Sequence, residues 1–122
     1  MKTIAQQLNV KEFPFIIKDS NGNEIYCEYS TGYWRKAEYD SKGNCIYFVN
    51  SKKEWFKREF DEQGSIIYYE DSGGYWVKRE FDSNGNMIYY ENSEGKIEDN
   101  RPIPEYTMQD LVDKIGRFKF KL

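Results

Sequence analysis

The chain contains no histidine. That removes the side chain that most often serves as general base near neutral pH and as metal ligand. Its two cysteines, Cys27 and Cys45, make no zinc site without histidine partners. They also stand in different columns of the repeat described below, where a disulfide scaffold would place them regularly, so both are read as reduced thiols. No apolar run is long enough to span a membrane. Residues 1–10 are too mixed and too short for the apolar stretch of a signal peptide, and a cytoplasmic location is the expectation. Charge of one sign is also missing. The net charge of −3 names no partner by itself.

That charge is unevenly spread. Residues 40–60 carry five Lys/Arg against three Asp/Glu, while 61–81 and 82–102 each carry two against five. The last ten residues set Lys114, Arg117, Lys119 and Lys121 against Asp113. A mildly acidic middle suits a protein partner better than a duplex. Aromatics, by contrast, are abundant at 18%, beside 32% charged residues. Disordered chains lack such aromatics, whereas an antiparallel sheet accommodates them on its pleated surface.

On a period of 21 residues the chain falls into four copies. Asp19, Asp40, Asp61 and Asp82 open them, followed by Gly22, Gly43, Gly64 and Gly85. Ile25, Ile46, Ile67 and Ile88 come next, each before a tyrosine: Tyr26, Tyr47, Tyr68 and Tyr89. Ser30, Ser51, Ser72 and Ser93 mark a second turn. Trp34, Trp55 and Trp76 follow, then Lys36, Lys57 and Lys78, then Glu38, Glu59 and Glu80. No insertion breaks the register. Each copy encodes two turns and two strands: Asp caps the first turn through its side chain, and Gly supplies positive φ. In the second turn Lys53 stands where the other copies have Gly. The expected fold is mainly β, an antiparallel meander of seven or eight strands with short N- and C-terminal helices.

The chain reads as a single domain: 1–17 an N-terminal helix and lead-in, 18–101 the four repeats, 102–122 a C-terminal helix and tail. Thr3-Ile4-Ala5-Gln6 and Thr107-Met108-Gln109-Asp110 are both helix starts. Leu111 and Ile115 form a small apolar stripe on the second helix, Gly116 ends it, and a last strand is placed over 118–122. The helices are expected to cover part of the sheet. Loop parity decides which side chains share a face. The favoured arrangement puts Ile25, Cys27 and Tyr29 with Tyr33 and Tyr39, leaving a Tyr/Trp/Lys/Glu face outside.

The candidate partner-binding residues are Trp34, Trp55, Trp76, Lys36, Lys57, Lys78, Tyr26, Tyr47, Tyr68, Tyr89, Arg58 and Arg79. Trp, Tyr and Arg carry much of the energy of interfaces. The competing role is structural, with Lys–Glu pairs across strands and tyrosines packed on their stems. Every notable residue recurs in copy after copy, whereas a catalytic pair is needed once, so no enzyme, metal or cofactor is expected. The Asp-x-x-Gly-Asn turns lack the alternating oxygen ligands and closing Glu of a calcium loop. Two alternatives remain open: single-stranded nucleic acid on Trp55, Trp76, Lys57 and Arg58, and carbohydrate. A homodimer and a monomer are both compatible with an open meander.

Tyr39-Asp40-Ser41-Lys42-Gly43-Asn44, Phe60-Asp61-Glu62-Gln63-Gly64-Ser65 and Phe81-Asp82-Ser83-Asn84-Gly85-Asn86 resemble the YD repeat of RHS-type proteins. The first copy departs from it with Lys18 before Asp19. This resemblance implies a β-meander unit and says little about function. Gly74-Tyr75-Trp76 and Tyr68-Tyr69 are more weakly similar to choline- or glucan-binding repeats, which belong to exported wall proteins. The layout, with repeats followed by Pro104-Glu105-Tyr106-Thr107-Met108, also resembles small phage and prophage proteins. That likeness implies a protein-binding inhibitor of a host defence complex, of the anti-CRISPR type, acting in the host cytoplasm.

Overall fold

The computed structural model describes residues 1–103 and 107–110. A short helix, α1 (Ile4–Gln7), precedes nine strands: β1 (Phe15–Lys18), β2 (Glu24–Glu28), β3 (Trp34–Tyr39), β4 (Cys45–Asn50), β5 (Trp55–Phe60), β6 (Ile66–Asp71), β7 (Trp76–Phe81), β8 (Met87–Asn92) and β9 (Ile97–Asp99). They form one antiparallel sheet in strict chain order. Eight strands come from the repeats, two per copy. The ninth, β1, lies in the lead-in. Asp19 opens a hairpin turn, which requires a strand on each side, and Phe15-Ile16-Ile17 supplies the β-forming residues.

Both turns of a copy are built alike, except that in the first copy Tyr29 stands at the capping position of the second turn and backbone bonds close it. At the first, the Asp40 carboxylate accepts from the backbone N–H of Lys42 and of Asn44, both at 2.9 Å, and Asp19, Asp61 and Asp82 do the same for their own loops. At the second, the capping group stands one residue before the serine: Asn50 accepts from Lys52 and Glu54, Asp71 from Gly73 and Tyr75, and Asn92 from Glu94 and Lys96. The fourth residue of every turn is left-handed, with Gly43 at φ 86° and Gly74 at φ 88°. This is a type I turn closed by a left-handed residue, a common hairpin connection.

The serines lie in the second turn as expected, and three of the four do more than mark it. Ser51 Oγ accepts from the Trp34 N–H at 3.2 Å, while the Ser51 N–H donates to the Trp34 carbonyl at 2.9 Å. Ser72 with Trp55 and Ser93 with Trp76 repeat this exchange. Each serine thus joins its own copy to the tryptophan of the copy before, which explains why the two columns recur together.

Lys53 is the exception among the turns. It takes φ 66° where the equivalent positions hold glycine. A side chain with a Cβ is strained there by about 1 kcal/mol. Lys53→Gly is therefore expected to raise stability by roughly that amount, read as a higher urea midpoint at unchanged slope.

Register follows from the turns. A bulge interrupts pairing beside every first turn, where the register shifts between Ile17/Lys18, Glu38/Tyr39, Glu59/Phe60 and Glu80/Phe81, whereas the hairpins at the second turns are regular. Tyr26 lies opposite Lys36 and Glu28 opposite Trp34, while Cys27 lies opposite Arg35. Tyr, Trp, Lys and Glu therefore share one face, with Cys27, Tyr29, Tyr33 and Tyr39 on the other, as loop parity suggested. Ile25, expected with the second group, stands unpaired in the bulge, where parity no longer assigns its face, and its equivalent Ile46 lines the tyrosine face. Among the described residues only α1 packs on the sheet, over β2 and β3. Buried apolar side chains are few: Ala5, Tyr26, Cys27 and Val77. Most strand residues are half-buried, held by neighbours within the layer. Cys27 and Cys45 are free thiols. The helix expected after Thr107 is described only to residue 110, where 108–110 are helical. Leu111, Ile115, Gly116 and the strand expected over 118–122 lie outside the described residues.

Candidate interaction face

The face of tyrosines and tryptophans is laid out in rows. Trp34, Trp55 and Trp76 occupy the same place on every second strand, so neighbouring indoles are about 10 Å apart. Each carries the lysine two residues on: Lys36 Nζ is 5.2 Å from the Trp34 ring centre, Lys57 Nζ 5.4 Å from Trp55, and Lys78 Nζ 5.2 Å from Trp76. Residues two apart on a strand share a face, so this contact is built into the Trp-x-Lys spelling. Lys57 stands opposite Glu70 and Lys78 opposite Glu91 across the strands, but the ammonium groups lean over the indoles. Tyr26, Tyr47, Tyr68 and Tyr89 form the next row, each directly opposite a lysine except Tyr89, which faces Asp99.

Ten of the twelve candidate residues come together on this face. Arg58 and Arg79 do not. They alternate with Lys57 and Lys78 and project to the opposite side, where the Arg58 guanidinium lies 4.7 Å from the Phe56 ring and donates to the Cys45 carbonyl at 3.0 Å. Arg79 lies over Tyr90. The sequence placed them beside the tryptophans because Trp-x-Lys-Arg is contiguous, yet adjacent strand residues point apart. Their face carries a ladder that sequence reasoning missed: Phe48 stacks on Phe56 at 5.2 Å and 7°, and Phe56 on Tyr69 at 6.1 Å. The signal for it was the column Phe56, Phe60 and Phe81 in phase with the arginines.

At one end the tryptophan face is already occupied. Glu28, 2% exposed, accepts from Thr3 Oγ1 at 2.6 Å, from the Ala5 N–H at 3.1 Å and from the Tyr26 hydroxyl at 2.8 Å. Thr3 is the N-cap of α1, and it exchanges a second pair of bonds with Gln6. Burial pushes the Glu28 carboxyl upward, but the three donors outweigh it and hold it below its ordinary value. Burial and the Glu28 carboxylate push the Tyr26 hydroxyl up to about 12. Tyr26 stacks on Trp34 with ring centres 6.2 Å apart, closing the pocket from the side. At the other end Arg101 folds back over the Tyr89 ring at 4.2 Å and donates to Glu80 at 3.0 Å and to Asp99 at 2.7 Å.

Between these ends no described residue covers the face. A shallow concavity of about 410 Å³ is lined by Glu38, Ile46, Tyr47, Lys57, Glu59, Tyr68 and Glu70, and by Arg58, whose guanidinium lies against Phe56. Glu38, Glu59, Glu70, Glu80, Glu91 and Asp99 outnumber Lys36, Lys57, Lys78 and Arg101, so the face is acidic. Among the described residues no three of His, Cys, Asp and Glu gather as a metal site would require, and no helix is long and apolar enough to cross a membrane. The four turn aspartates are engaged by backbone N–H groups, which accounts for their recurrence. No protein-family model matches the chain, and no curated protein matches it.

Proposed function

We propose that the chain is a non-catalytic protein-binding protein that engages its partner through the Trp/Lys/Tyr face. The partner class suggested by the layout's resemblance to phage repeat proteins is a bacterial defence complex such as a CRISPR effector. One observation carries the binding reading: three indoles at regular spacing on a face that, among the described residues, is covered only at its ends. Aromatic anchors ringed by charge are the composition of interfaces, and single-layer placement leaves them in reach of a partner.

The nucleic-acid alternative is weakened by the same geometry. Its basic residues are divided between faces, and the tryptophan face is acidic where a phosphate backbone would lie. A carbohydrate ring stacks on a bare indole face, and here each indole carries a lysine. Homodimerisation stays a proposal too, with the edge strands β1 and β9 short and the faces broad.

The test uses the full chain as bait against purified effector complexes, with target cleavage as the functional readout. Trp55→Ala and Trp76→Ala are each expected to weaken partner binding by about 2 kcal/mol, roughly thirtyfold. Phe60→Ala, on the other face, should leave affinity unchanged once folding is verified. A partner bound equally well by both tryptophan variants would reject this face as the interface.

A further inference from the structure

Glu28, Tyr26, Trp34 and Lys36 receive a helix start in the first repeat. Two periods along, Tyr68, Glu70, Trp76 and Lys78 repeat all four residues. The register is also the same, with Tyr68 opposite Lys78 and Glu70 opposite Trp76, as Tyr26 is opposite Lys36 and Glu28 opposite Trp34. The other two copies break the set. The second has Val49 in place of the glutamate, and the fourth has Ile97 and Asp99 in place of tryptophan and lysine. In the third repeat Glu70 is half-buried beside Tyr68 and borders the open concavity.

We propose that the third repeat is a second copy of the helix-start site, left open by the described residues. Its ligand is the N-terminus of a helix on a protein partner, with Ser or Thr at the N-cap and a small residue, Ala or Gly, at the second helical position. The proposal rests on the reading of this face as protein-binding. What the site demands is shown by its occupied twin. A carboxylate takes one of the N–H groups that a helix start leaves without partners, and its charge complements the positive end of the helix. The cap hydroxyl, at 2.6 Å from Glu28, gives a second bond. Ala5 is fully buried, which leaves no room for a larger side chain at that position.

The chain's own second helix start fits this demand poorly. Thr107 supplies the hydroxyl, and it and Asp110 exchange capping bonds. Gln109 stands where Ala5 stands in α1, however, and Asp110 brings a second carboxylate toward Glu70. An external helix start satisfies the site without either conflict.

The probe is a synthetic peptide of residues 1–12 of this chain, titrated to millimolar concentration into the isotope-labelled full-length protein. Amide shifts at Tyr68, Glu70 and Trp76, with the Trp76 indole, are the expected response. Glu70→Gln in the protein, and Thr3→Val or Ala5→Gln in the peptide, should each weaken binding about tenfold. Val49→Glu should add a second peptide site at Tyr47 and Trp55. No shift in the third repeat overturns the proposal. So do shifts indifferent to Glu70→Gln, and shifts confined to the first repeat through displacement of α1. A Glu70→Gln effect confined to residues 107–110 in the free protein would assign the site to the chain's own tail and overturn it as well. The peptide experiment needs no knowledge of the natural partner. Its failure therefore leaves the tryptophan-face reading to be judged by the Trp55 and Trp76 variants, and failure of those leaves the peptide result standing.

Discussion

Glu28→Ala is expected to detach α1 from the sheet and to lower stability by about 3 kcal/mol. The figure follows from what the carboxylate holds. It accepts three hydrogen bonds, from the Thr3 hydroxyl, the Ala5 N–H and the Tyr26 hydroxyl, in a pocket where it is 2% exposed. Bonds to an ionised group contribute more than neutral ones, and donors left in the pocket without an acceptor add their own penalty. Glu28→Gln keeps the shape and one acceptor oxygen, so it should cost about half as much. Hydrogen exchange at the Ala5 amide separates local from global effects. It should lose protection in Glu28→Ala under conditions where β5 and β6 keep theirs. Unchanged Ala5 protection would mean that α1 is held by something other than this carboxylate.

The same pocket sets a pH window. Glu28 has a folded pKa below its ordinary value near 4.5. Its contribution is therefore intact above that value and is lost as pH falls through the lower folded value. Tyr26 is shifted the other way, to about 12 from 10.0. Its contribution is intact below pH 10.0 and is lost as pH rises toward 12. Helix docking should thus loosen at both extremes, and in Tyr26→Phe the alkaline loss should vanish while the acid loss remains.

Much of this architecture is legible in the chain because the repeat states it several times. Asp at the first turn, Gly at its end and Trp-x-Lys on the following strand each have a local physical meaning, and periodicity removes doubt about register. Loop parity also gave the pairing of faces, apart from the isoleucine column, whose residues stand in the bulges. What was harder to read depends on distant partners. Ser51 is legible as a turn residue, but not the two hydrogen bonds it exchanges with Trp34, 17 positions earlier. Glu28 looks like one more surface carboxylate until α1 folds over it, and nothing local distinguishes it from Glu70. Arg58 was grouped with Trp55 and Lys57 by adjacency, but strand alternation sends it to the other face. β1 was absorbed into the lead-in because it precedes the first aspartate, although that turn needs it as a partner strand.

Among the described residues the sheet is one layer thick and has no conventional core, and that makes Phe56→Ala the second large perturbation, with an expected loss of about 3 kcal/mol. Phe56 sits on β5, the fifth of nine strands, and stacks on Phe48 at 5.2 Å and on Tyr69 at 6.1 Å. The Arg58 guanidinium covers its ring at 4.7 Å, so truncation removes two ring contacts and a cation–π contact together. Each strand pairs in the sheet with its sequence neighbours, and stability in such arrays is close to a sum of nearest-neighbour terms. A lesion in the middle strand should therefore weaken the coupling between β1–β4 and β6–β9. Urea unfolding is expected to change from a single transition to a broadened one with a lower apparent slope. Phe81→Ala, nearer the far edge, should shift the midpoint less and leave the transition sharp, because the strands beyond it are few. If Phe56→Ala unfolded in one sharp transition with a loss below about 1 kcal/mol, the ladder would not be what couples the two halves. The backbone ladder and the serine–tryptophan exchanges between repeats would then have to carry that coupling.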